Sequence, residues 1–109
     1  MFAEKVNILG TEYKIRHETE KENPNLSDAS GLCEWWSKEL LLDFSDLSDS
    51  QTMRNIDEYK KKVLRHEMLH AFFFEAGHEK DWGRDEDLVN SLAVLMPKIV
   101  KAMQEARCL

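Results

Sequence analysis

His66 and His70 stand one helical turn apart in the run His66-Glu67-Met68-Leu69-His70, with a carboxylate directly after the first imidazole. At 3.6 residues per turn both rings leave the same face of a helix and reach a single metal ion, and zinc takes neutral imidazole well. Glu67 lies ~100° further round, off the ligand pair but beside the position that a catalytic zinc leaves open for water. The metal lowers the pKa of that water toward ~7 and polarises a carbonyl, while the carboxylate takes the proton and passes it to a leaving amine. The spacing therefore points to zinc-dependent peptide hydrolysis, with His66 and His70 as ligands and Glu67 as general base.

A helix must carry this set. From Asp57 to Ala76 the chain has no Pro or Gly, and Gly77 follows as a residue suited to the position just past a helix end. Ile56, Tyr59, Val63, His66, His70, Phe73 and Phe74 fall in one stripe of the helical wheel. The histidines thus lie on the apolar face with Glu67 at its edge, and a buried carboxylate calls for a counter-charge that a metal supplies. Leu64, Leu69 and Phe72 add apolar surface on other faces, so the helix is expected to be covered by a sheet on one side and a second helix on the other. The Ser- and Asp-rich stretch from Ser45 to Gln51 leads into it, with Ser48 or Ser50 as its cap.

A catalytic zinc usually has three protein ligands. His78, Asp85, Glu86 and Asp87 compete for the third place. A second helix is expected from Asp85 onward, with Leu88, Val89, Leu92, Leu95, Met96, Ile99 and Met103 as its buried stripe. Asp85 sits where an N-cap belongs and Asp87 points away from the stripe, which leaves Glu86 as the best third ligand. Asn90, one turn on, is placed to hold a histidine or the Glu86 carboxylate. Pro97 is expected to kink or break this helix near Ala93.

His66-Glu67-x-x-His70 followed by Glu86-x-x-x-Asn90 resembles the gluzincin pattern, in which a second helix offers a Glu and, four residues later, usually an Asp. Asn90 departs from that pattern. A metzincin would need a third His six residues after the second, and here Gly77-His78 places it later. The stretch from Leu64 to Gly77 is similar to small phage and prophage zincin-like proteins and, more loosely, to ImmA/IrrE-type metallopeptidases. Val89-Asn90-x-Leu92-Ala93 with Leu95-Met96-Pro97, and the opening from Val6 to Ile15, carry the likeness over most of the chain. The resemblance implies a minimal zincin-like metallopeptidase domain whose sheet edge lies beside the metal cleft and pairs with an extended substrate.

The first half supplies the sheet. Val6, Ile8, Tyr13 and Ile15 alternate with polar residues around Gly10-Thr11, a hairpin signal. Asn23 to Gly31 reads as a loop, and Leu32 to Trp36 with Leu40 to Phe44 reads as a second strand pair around Ser37-Lys38-Glu39. Strands first and helices after predict one α+β domain over residues 1–109. Residues 1–50 form mainly strands and loops in a small antiparallel sheet, and residues 51–109 form the two helices packed on it. Trp35, Trp36 and Trp82 divide between cleft and core, and His17, His78, Tyr13 and Tyr59 are candidates to stabilise an oxyanion.

With 109 residues there is room for one core, and 42% hydrophobic against 33% charged residues marks a globular chain. No run approaches the ~20 apolar residues of a membrane span, and no signal peptide is evident, so the expected compartment is the cytoplasm. Cys33 and Cys108 are expected as free thiols. A net charge of −6 speaks against nucleic acid as partner, and Lys60, Lys61, Lys62 and Arg65 are read as a solvated face. Glu75, Glu79, Asp81 and the acids from Asp85 to Asp87 are read as a solvated loop region. The expected partner is a protein or peptide substrate. A second functional class stays open: a non-catalytic, zinc-stabilised module that binds another protein, a host factor if the chain is phage-borne.

Overall fold

The computed structural model describes residues 2–26, 29–45 and 55–109, and its first elements are the expected hairpin of β1 (Lys5–Ile8) and β2 (Thr11–His17). Val6 lies opposite Tyr13, and Ile8 and Tyr13 are fully buried. A two-residue turn of this hand needs two left-handed residues, and Leu9 (φ 52°) and Gly10 (φ 92°) supply them.

The second pair, β3 (Gly31–Glu34) and β4 (Glu39–Leu42), is antiparallel as expected. The strand order is β1-β2-β4-β3, however, and β4 runs parallel to β2. The expectation of a wholly antiparallel sheet is thus corrected to a mixed sheet. The long connection after His17 carries the chain past one strand position, which parallel neighbours require. Leu40, Leu41 and Leu42 are apolar on consecutive residues and all buried, the pattern of a central strand covered on both faces. One 3-10 turn in the connection, Pro24–Leu26, lies against β3 and buries Leu26.

Helix α1 (Ile56–Glu75) packs on this sheet and on the second helix, so its two-sided cover is as expected. Its cap is Asn55, whose side chain accepts the Glu58 N–H at 3.3 Å; Ser48 and Ser50 lie outside the described residues. The helix ends at Ala76 and Gly77 (φ 89°). Val63, Leu64 and Ala71 join Ile8, Tyr13, Leu40 and Leu42 in the core. Phe73, expected on the buried stripe, instead stands edge-on to Trp82 at 6.0 Å.

Helix α2 (Glu86–Glu105) starts as expected, with the Asp85 side chain accepting the Leu88 N–H at 3.0 Å. Beyond that point the expected stripe holds in part: Val89 is buried, Leu88, Leu92, Met96 and Ile99 are half-buried, and Leu95 and Met103 are exposed. Pro97 does not break the helix. The carbonyl it leaves without an intrahelical donor, that of Ala93, accepts the Arg65 Nε–H from α1 at 2.8 Å. Arg65 therefore ties the helices together rather than belonging to a solvated basic face. Arg65→Ala is expected to cost about 1–2 kcal/mol, and the same substitution in the Pro97→Ala background about 1 kcal/mol less, because that change restores an N–H for the carbonyl. Equal costs in a urea-denaturation cycle would refute the coupling.

Cys33 and Cys108 are free thiols. Among the described residues no helix is long and apolar enough to cross a membrane.

Candidate metal centre

The apolar face of α1 brings His66, Glu67 and His70 together, with one potential ligand atom from each lying within 4.8 Å of the others. Glu67 and His70 are buried and His66 is half-buried. This group could hold a metal ion. A second carboxylate reaches the same point from the first residue of α2: Glu86 Oε2 is 3.0 Å from His66 Nε2, and Glu86 Oε1 is 3.0 Å from His70 Nε2. The two Nε2 atoms are 3.1 Å apart.

The chemistry of this set follows from one hydrogen bond. His70 Nδ1 is 2.6 Å from the Gly83 carbonyl, which only accepts, so Nδ1 carries the proton. In neutral His70 the lone pair is then on Nε2, aimed at a carboxylate oxygen. Two electron-rich atoms at 3.0 Å call for a positive charge between them, which a metal ion or a proton on Nε2 supplies. Burial first, and then the neighbouring His70, hold the His66 imidazole below its ordinary pKa despite the pull of Glu86, which favours the neutral, ligating form. The donor set of two imidazoles and a carboxylate suits a divalent metal ion.

Gly83 holds His70 at the cost of its own freedom. A Cβ there would meet the His78 carbonyl and the Phe74 ring at 2.6 Å, so only glycine lets this buried backbone approach the imidazole. The Gly83 N–H donates to the His78 carbonyl at 2.7 Å, which fixes the peptide's direction. The orienting place for which Asn90 is a candidate in the sequence falls to the Gly83 carbonyl instead. Asn90 lines the cavity, but among the described residues it makes no hydrogen bond to the histidines or Glu86.

Glu67 sits between α1 and β3. Gly31 lets the strand come this close, since a Cβ there would stand 3.0 Å from Glu67 Cγ and Oε2 and 2.9 Å from Val63 Cγ1. Burial, helped by the Glu86 charge, pushes the Glu67 carboxyl up to about 8, while the Cys33 backbone N–H draws it down. The edge strand thus presses directly on the candidate base. Neither Gly31 nor Cys33 was singled out as a site residue from sequence, because close backbone approach leaves no periodic signal.

A cavity of about 750 Å³ opens over this group, walled by β3 on one side and by Arg84 and Glu86 on the other. Trp35 and Trp36 line it, whereas Trp82 stacks on His78 at 4.0 Å outside it. The rival third ligands are engaged elsewhere: His78 pairs with Asp81 at 3.1 Å and Asp85 caps α2. Of the four oxyanion candidates only Tyr59 lines the cavity, its hydroxyl 2.8 Å from Ser30 Oγ. Tyr13 lies in the core, and His17 faces Phe44 at 6.0 Å.

Glu75 is also corrected, from a solvated acid to a partly buried junction. Its carboxylate accepts from Thr11 Oγ1 (2.9 Å), Tyr13 Oη (2.6 Å), Trp35 Nε1 (3.1 Å) and Lys38 Nζ (2.7 Å). Trp35, a wall of the cavity, is thereby tied to the end of α1.

No protein-family model, curated protein or solved structure matches this chain, so the reading of its centre rests on the chemistry of these residues.

Proposed function

We propose that this chain is a zinc-dependent peptide hydrolase of gluzincin type. His66, His70 and Glu86 hold the ion and Glu67 is the general base. The observation that carries the reading is the His70 Nε2 lone pair, fixed by the Gly83 carbonyl and facing Glu86 beside a buried Glu67. Zinc, when bound, supplies an acidified water and a polarised substrate carbonyl. Glu67 takes the water's proton as oxygen adds to the carbonyl carbon, then delivers it to the amine as the C–N bond breaks. Among the described residues no strand pairs with the outer edge of β3, which offers that edge to an extended substrate.

The test is a purified preparation assayed for zinc and for cleavage of a mixed peptide library, beside Glu67→Gln. One zinc per chain is expected in both proteins, with cleavage lowered about 10²–10⁴-fold in the variant. Equal cleavage by the two would remove Glu67 from the mechanism. A second reading keeps the ion as a staple between α1 and α2 in a module that binds a protein without cutting it, favoured by the span of the ligand set across both helices. It predicts a large fall in melting temperature on chelation and no hydrolysis with any peptide.

A further inference from the structure

Four aromatic rings run in unbroken succession from the candidate ligand His70 to the protein surface. His70 stacks with Phe74 at 5.9 Å and 27°, Phe74 meets Trp35 at 5.6 Å and 45°, and Trp35 meets Trp36 at 4.6 Å and 38°. Phe74, Trp35 and Trp36 all line the cavity, and Trp36 is 84% exposed. A large indole left this bare costs hydration free energy that folding does not recover, whereas a ligand laid against it would.

The inner part of the wall is held rigid. Trp35 donates from Nε1 to Glu75 at 3.1 Å, and the Lys38 ammonium lies 5.3 Å from its ring centroid and 2.7 Å from the same carboxylate. The Trp35 part of the shelf is therefore pre-formed, which limits the entropy lost when a ring is laid on it. Gly31, at the start of β3, lies against Glu67; the strand ends at Glu34, and Trp35 and Trp36 stand in the turn that follows, closed by the Lys38 N–H donating to the Trp35 carbonyl at 3.2 Å. An extended peptide lying along β3 with a bond over Glu67 would set one side chain, a few positions from that bond and past the end of the strand, on the Trp35–Trp36 pair.

We infer that the Phe74–Trp35–Trp36 wall is a specificity subsite for an aromatic side chain lying a few positions from the cleaved bond of a peptide substrate. The inference rests on the peptide-hydrolase reading, since that reading supplies the substrate. Ring-on-ring packing favours an aromatic occupant over an aliphatic one of equal length, and the Lys38 ammonium, already 5.3 Å from the Trp35 ring centroid, makes a second cation on that ring less favourable.

The experiment separates the two claims by measuring binding without turnover. Zinc-loaded Glu67→Gln protein is titrated with capped alanine octapeptides carrying one Phe, one Leu or one Arg at each position in turn, read by tryptophan fluorescence and calorimetry. The expected result is about tenfold tighter binding for Phe at one position than for Leu or Arg there. That preference should vanish in Trp36→Ala and return in Trp36→Phe; at 84% exposure the site tolerates both changes without refolding the core. Equal affinity for Phe, Leu and Arg at every position, or a Phe preference that survives Trp36→Ala, would overturn the subsite. Wild-type protein given the same peptides then tests the parent reading: bound but uncleaved Phe peptides leave the subsite standing and remove the hydrolase. Cleavage with no aromatic preference does the reverse.

Discussion

Glu75→Ala is expected to cost about 3–4 kcal/mol of folding stability, the effect of stranding several donors around one partly buried carboxylate. The Tyr13 hydroxyl has no solvent alternative because Tyr13 is fully buried, and Trp35 Nε1, Thr11 Oγ1 and Lys38 Nζ lose the same acceptor. In a domain of this size such a loss lowers the melting temperature by more than ~12 °C. The same carboxylate gives a signature in pH. Burial alone would raise its pKa, but bonds from Lys38, Tyr13 and Thr11 and the Lys38 charge outweigh burial and hold it at about 2. A carboxylate with a lowered folded-state pKa contributes stability above its unfolded value near 4.5, and loses it as pH falls from there toward 2. Only 13% of the side chain is exposed, so solvent screening removes little of the effect, which amounts to roughly 2–3 kcal/mol. Glu75→Gln should flatten that part of the profile. Glu39, Asp43 and Asp81, whose pKa values are also lowered, titrate in both proteins, so the difference between the two urea-denaturation curves isolates Glu75. Parallel curves from pH 5 to pH 2 would show that the junction is not worth what its geometry implies.

The contrast between Glu75 and Glu67 explains what was legible in the sequence. The His66-to-His70 spacing is local to one helix, so periodicity alone placed both imidazoles on the apolar face, and Glu86 followed from the wheel of the next helix. The Asp85 cap and the Gly77 stop were legible for the same reason, since each depends on neighbours within a few residues. Glu75 looked like one more surface acid near a helix end, because its partners Thr11, Tyr13, Trp35 and Lys38 come from distant strands and turns. Pro97 misled in the same way: local chemistry says helix break, and a guanidinium from the other helix satisfies the carbonyl it frees. The parallel β2–β4 pairing did leave a trace, in three consecutive leucines that suit a two-sided strand better than a hairpin arm. Gly31 and Gly83 left none, since each matters for the side chain it lacks.

Glu86→Gln is expected to weaken zinc binding by about 10³-fold, whereas Glu67→Gln should change it by less than ~10-fold. The two carboxylates offer competing ligand sets, one of neighbours on α1 and one that spans both helices, and their surroundings decide between them. Each Glu86 oxygen is 3.0 Å from a histidine Nε2, and its side chain is 69% exposed, so little desolvation opposes a small movement onto an ion. Glu67 is buried between α1 and β3, with Gly31 against its Cγ and Oε2, and burial raises its affinity for a proton. A group so held serves as a base for water better than as a ligand that must close on the metal. Competition of the metal-free proteins against a chelating dye measures both constants, and matching far-UV spectra ensure that folded states are compared. A large loss in Glu67→Gln with little change in Glu86→Gln would make Glu67 the ligand. The centre would then have no carboxylate left to carry the proton, and the stapled, non-catalytic reading would be the one that fits.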